Sequence, residues 1–182
     1  MSTIASQQDT LPAGTWGIDP VHSQVGFAVP YMSGTFRGSF SPADARLVVA
    51  ENGSVELSGS ARVDSIKVQD ENLTAHLQSP DFFDAERTPE VGFRSTDVRR
   101  SGDRVTVAGE LTIKGTSQPV ELEGTVAEPI TDPYGNERIG LKLDGTVDRT
   151  KFGIDWNNPL PSGEPALAND VSLSAELYLV KA

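Results

Sequence analysis

Val55-Glu56-Leu57-Ser58-Gly59-Ser60-Ala61-Arg62-Val63 carries an apolar or small residue at every second position and a polar one between. That period puts Val55, Leu57, Gly59, Ala61 and Val63 on one face of an extended chain and Glu56, Ser58, Ser60 and Arg62 on the other, the pattern of a half-buried strand. It returns as Val105, Val107, Gly109, Leu111 and Ile113, as Val120, Leu122, Gly124 and Val126, as Ile139, Leu141, Leu143, Gly145 and Val147, and as Val171, Leu173, Ala175, Leu177 and Leu179. Turn residues separate the runs at Glu51-Asn52-Gly53, Arg100 to Asp103, Lys114-Gly115-Thr116 and Asp132 to Asn136, so consecutive strands are joined by hairpins. The class is all-β. Strands this long with one apolar face each build a sandwich or an up-and-down barrel. The barrel, eight-stranded and antiparallel, is favoured because closure removes two long exposed edges.

Outside the strand pattern, residues 1–14 are polar and rich in small residues and read as a flexible N-terminal tail, leaving residues 15–182 as one domain. Asp70 to Gln78 has apolar residues four apart at Leu73 and Leu77 with acids at its start, which predicts a short helix capping one end. Phe82 and Phe83 follow it and are placed to plug that end. Residues 155–169 are rich in Pro, Gly and Asn and read as a long loop at a barrel mouth.

The apolar rows carry small residues near their middles: Gly59, Gly109, Gly124, Gly145 and Ala175, with Gly38 between Phe36 and Phe40. A missing leucine-sized side chain leaves a void costing ~2 to 5 kcal/mol unless something fills it. Several side by side predict an apolar, elongated cavity that a hydrocarbon guest completes, at ~0.8 kcal/mol per buried methylene. The competing reading is that the glycines are strand bends.

Composition bounds the function. A chain of 182 residues with 37% hydrophobic and 23% charged residues suits one folded domain. A net charge of -11 repels phosphate backbones and anionic bilayers, so nucleic acid is not expected as a partner, nor is stable membrane insertion. There is no cysteine, and neither of the two histidines, His22 and His76, sits in a metal-ligand spacing, so no metal and no cofactor are expected. Phosphate loops, nucleophile elbows and dinucleotide fingerprints are missing from the sequence, and the chain reads as a non-enzyme. Asp19, His22 and Ser23 are the residue types of a hydrolytic site but read as a hydrogen-bonded turn. His76 reads as packed or capping. With no secretory pattern in Met1 to Thr10, a cytoplasmic location is expected.

Trp16-Gly-Ile-Asp19-Pro-Val-His22-Ser23, Val25-Gly-Phe27-Ala-Val29 and Gly34-Thr-Phe36-Arg-Gly38-Ser-Phe40 resemble the opening of the YceI-like polyisoprenoid-binding family. His76-Leu-Gln-Ser-Pro-Asp-Phe82-Phe83-Asp84, Pro89 to Thr96, Gly109 to Gly115 and Asp148 to Ile154 continue the resemblance in order, over roughly residues 15 to 181. It implies an extended lipocalin-like barrel around a long isoprenoid-type lipid, of the polyprenyl phosphate or prenyl quinone class, held for storage or transport, a stress response being one setting. Many members have an Arg-His pair where this chain has Pro30-Tyr31, so the head-group contact at that position differs. The residues expected to line the lipid are Phe27, Phe36, Gly38 and Phe40, then Leu57, Gly59, Phe82, Phe83 and Phe93, then Val107, Gly109, Leu111, Leu122 and Gly124, and finally Leu143, Gly145, Phe152, Leu173, Ala175 and Leu177. Tyr31, Arg94 and Arg149 are the candidate head-group contacts. A homodimer is among the partners allowed, and the alternatives are a filled-barrel structural or interaction protein and, behind it, a lipid-ester hydrolase.

Overall fold

The structure, a computed structural model, describes residues 11–182. In chain order its strands are β1 (Gly14–Ile18), β2 (Gln24–Tyr31), β3 (Gly34–Phe40), β4 (Ala43–Val49), β5 (Val55–Arg62), β6 (Ile66–Lys67), β7 (Glu90–Ser101), β8 (Arg104–Ile113), β9 (Thr116–Val126), β10 (Ile130–Thr131), β11 (Glu137–Asp148) and β12 (Asp170–Lys181), with one α-helix, α1 (Glu71–Gln78). Antiparallel pairing runs β1-β4-β5-β7-β8-β9-β11-β12 and returns to β1, a closed barrel of eight strands. β2, β3 and β6 continue β1, β4 and β5 beyond local breaks at Asp19 to Ser23, Ser41-Pro42 and the 3-10 turn Val63–Ser65. One edge of β12 therefore pairs with β11 along its length, while the other is shared by β2 at Ser172–Glu176 and β1 at Leu179–Lys181.

The alternating rows face inward as their period requires, and they fill the barrel unevenly. Around β1 the interior is solid: Trp16 and Leu179 are wholly buried, packed with Leu47, Val107, Leu141 and Leu143. Leu11 belongs to this core and the Trp16 indole donates to the Pro12 carbonyl at 3.3 Å, so ordered structure starts before Thr15. The rest of the expected tail, residues 1–10, lies outside the described residues. At the other end a second cluster, including Phe40, Leu77, Phe82, Ile154 and Leu167, surrounds open space.

The helix starts where the sequence says it should. The Asp70 side chain accepts from the Asn72 and Leu73 amides at 2.7 and 3.3 Å, satisfying donors that a first turn otherwise leaves unpaired. Asp70→Ala is expected to cost about 1 kcal/mol. Thermal unfolding checks this, as a fall of roughly 2 to 4 °C in Tm.

An ion-pair chain pins the break between β1 and β2. Arg138 on β11 donates to Asp132 at 2.6 Å and to Asp19 at 2.9 Å, and His22 Nδ1 meets the same Asp19 carboxylate at 2.8 Å. The Arg138 guanidinium and the Asn136 amide hold the Asp132 carboxyl at about 2 against an ordinary 3.8. His22, then Arg138, hold Asp19 well below the usual carboxylate range. Acids depressed in the native state stabilise it above their unfolded pKa, and that contribution is lost as pH falls through the folded one. Stability should therefore fall as pH drops from about 4 towards about 2, and Asp132→Asn should flatten that slope in a series of melts.

Candidate functional site

The open space is a cavity of about 290 Å³ whose wall is almost wholly hydrocarbon. Most of the expected lining residues meet there. Phe27, Phe36, Phe40, Phe82, Phe83 and Phe93 border it, as do Leu57, Gly59, Leu111, Leu122, Leu143, Phe152, Leu173, Ala175 and Leu177. Phe27 forms a ring cluster with Phe36, Phe40 and Phe83 at centroid separations of 6.1 to 6.3 Å.

Four glycines of the expected row are placed differently, and the reason is steric. A Cβ on Gly38 would lie 2.5 Å from the Phe27 ring, and one on Gly109 would lie 2.6 Å from the Phe93 ring and overlap the Arg94 carbonyl. On Gly145 it would lie 2.5 Å from a Leu122 methyl, and on Gly124 it would overlap the Lys142 carbonyl oxygen. Each gap is already taken by a ring, a methyl or a neighbouring strand, and none of the four borders the cavity. Gly59 does border it, with nothing closer to its missing Cβ than the Asp44 carbonyl at 3.2 Å. Val107 also departs from expectation: it is buried in the solid half and borders a smaller cavity of about 90 Å³ there.

The mouth is built by segments the sequence marked as irregular. Asn157 folds residues 153–169 back on themselves: its side-chain oxygen accepts from the Ala166 and Leu167 amides at 2.9 and 3.1 Å while its amide donates to the Leu167 carbonyl. Leu167 bridges to Tyr31 at the end of β2. His76 of α1 stands edge-on to both Phe82 and Trp156 at 4.9 Å, its Nε2 3.1 Å from Asp81. His76, Trp156, Leu167 and Ile154 line the cavity and were missed from sequence. A lone tryptophan in a Pro- and Asn-rich loop was the available signal, since so large a ring is seldom spent on solvent.

The three candidate head-group contacts separate. Tyr31 and Arg149 border the cavity; Arg94 does not, being 78% exposed on the outer face, 3.8 Å from Glu56. That placement removes Arg94 from the site. Arg149 is buried, at the start of the 3-10 turn Arg149–Phe152, and its guanidinium donates to the carbonyls of Ile154, Trp156, Leu167 and Ala168 at 2.8 to 3.3 Å. Burial pushes its pKa down, opposed by Asp148 and Asp155. Four of its five N–H groups are thus committed to the loop, and the remaining one, on Nη2, has no partner among the described residues.

Asp19, His22 and Ser23 lie away from the cavity lining. Ser23 Oγ accepts from the Tyr178 amide at 2.9 Å and the Asp19 carboxylate is shared with Arg138, so all three serve the strand break. No cluster of metal-ligating side chains occurs among the described residues, and no helix among them is long and apolar enough to cross a membrane.

Comparison with known proteins agrees with this architecture. A UPF0312 protein of Staphylococcus epidermidis is 30% identical over 88% of this chain and 94% of the relative. Protein YceI of Escherichia coli O157:H7 is 26% identical over 73% of this chain and 71% of the relative. Among solved structures, Burkholderia cenocepacia BcnA superposes with a TM-score of 0.74 at 21% identity, over 88% of this chain and 98% of that one. A polyisoprenoid binding domain from Saccharophagus degradans, implicated in plant cell wall breakdown, gives 0.67 at 10% identity, over 92% and 98%. These two likenesses speak to fold. The family model described as YceI-like domain matches residues 16–179, and with that coverage the chain belongs to the YceI-like family.

Proposed function

We propose that the barrel binds a long apolar isoprenoid-type lipid, of the polyprenyl phosphate or prenyl quinone class, and stores or carries it through water without making or breaking bonds. The observation that carries this reading is the cavity: space of about 290 Å³, walled by aromatic and aliphatic side chains, inside a barrel whose other half is packed but for a gap of about 90 Å³. Apolar space of this kind excludes water and rewards a hydrocarbon guest. The likeness to the polyisoprenoid binding domain of Saccharophagus degradans supports the ligand class. The polar end of the guest would sit at the mouth, with Tyr31 and Arg149, which border the cavity, as the candidate partners of a phosphate or carbonyl oxygen. The runner-up, a filled structural barrel, leaves the cavity without a purpose.

Native mass spectrometry of delipidated protein incubated with prenyl alcohols and a prenyl quinone tests the reading. A one-to-one adduct, with quenching of Trp156 at the mouth, is the expected result. An unchanged apo mass with every lipid offered would overturn it.

A further inference from the structure

The cavity does not run through the barrel, and the residue that stops it can be named. Leu57 of β5 borders both the large cavity on the mouth side and the smaller one of about 90 Å³ beneath it. It is 4% exposed, stands opposite Leu47 on β4, and its amide donates to Ser95 Oγ at 2.8 Å. Its position is therefore fixed from two strands. One step towards the mouth the cross-strand pair is Ala45 and Gly59, so the interior widens directly above it. Leu143 and Leu177 complete the floor, since both border the cavity and belong to the solid core.

Depth follows from the strands. On β12 the inward residues bordering the cavity run from Leu177 to Val171. Six residue-to-residue steps of ~3.3 Å, tilted ~40° to the barrel axis, span about 15 Å. An extended hydrocarbon advances ~1.25 Å per bond. The part walled by β12, beneath Leu73, His76 and Trp156 at the mouth, then holds roughly twelve bonds, or about three isoprene units of four backbone bonds each.

We infer that Leu57 is a chain-length stop: the barrel buries about three isoprene units of its guest below the mouth, further chain length gains no affinity, and the smaller cavity is an extension that Leu57 separates from the large one. This rests on the lipid-binding reading above and adds a substrate length and a specificity-determining residue to it. A shorter guest leaves apolar wall uncovered, and a longer one must double back or leave its tail outside the mouth.

The experiment measures affinities of delipidated protein for geraniol, farnesol, geranylgeraniol and solanesol, a series of increasing chain length, by displacement of a fluorescent fatty-acid probe. Affinity should rise at least ~10-fold from geraniol to farnesol and then level or fall, because methylenes beyond the floor gain no burial. Leu57→Ala should move the optimum to geranylgeraniol, favouring it ~10-fold over farnesol. Ala45→Met, which raises the floor, should move it to geraniol. If Leu57→Ala does not fold, the wild-type series and Ala45→Met decide. Wild-type affinity that keeps rising from farnesol through geranylgeraniol to solanesol, or a folded Leu57→Ala with unchanged order, overturns the stop but leaves the lipid reading standing. No binding at any length removes the lipid reading itself.

Discussion

Gly124→Ala is expected to destabilise the barrel by about 3 kcal/mol or more, lowering Tm by roughly 6 to 12 °C, whether or not lipid is bound. Gly124 lies opposite Leu143 on the seam between β9 and β11, which carries four register pairs from Leu141 to Asp144. A Cβ there would overlap the Lys142 carbonyl oxygen and lie 3.0 Å from the Leu143 Cα. Both obstacles are backbone, so relief requires the strands to part at a junction on which closure depends. Gly17→Ala is the control, because nothing lies within 4 Å of the position its Cβ would take. Equal melting of the Gly124 and Gly17 variants would show that the seam yields easily, and would return Gly124 to the list of candidate lipid contacts.

The second large effect is expected at Arg149. Arg149→Met removes one guanidinium and strands the carbonyls of Ile154, Trp156 and Ala168, while Leu167 keeps the Asn157 amide, for a loss of about 3 to 5 kcal/mol. Because those carbonyls belong to the mouth loop, the loop should open, red-shifting the Trp156 emission and weakening retention of any prenyl ligand. Arg149→Lys separates geometry from charge. A lysine keeps the positive charge but cannot span four acceptors from a single nitrogen, so most of the loss should remain. Full recovery with lysine would mean that charge near the mouth, not the fork of hydrogen bonds, is what matters.

The barrel was legible because strand alternation is a local signal repeated many times over. Hairpin turns with Gly53, Gly102, Gly115 and Gly135, all at positive φ, punctuate it. The helix was equally clear from Asp70 and the Leu73 and Leu77 spacing. The cavity was predicted from the glycine row, and this step went partly astray for a physical reason. A period of two says which side of a strand a residue faces but not which neighbour leans over it, so a gap at Gly38 or Gly109 looks the same whether a ring or a ligand fills it. Arg94 was misplaced against the period itself: it adjoins Phe93, which borders the cavity, so strand alternation turns it to the outer face. Arg149 was picked out as a cation in the right place, while its four carbonyl partners come from a loop whose path no local pattern encodes.

The solid half of the barrel has one further consequence. With Trp16, Leu47, Leu141 and Leu179 interlocked independently of any guest, the empty vessel stands on its own. Loading then adds to melting temperature only by mass action, growing with the logarithm of free cargo over its dissociation constant. On the carrier reading proposed above, a container that survives being emptied can be filled again, so repeated cycles of uptake and delivery would need no refolding in between.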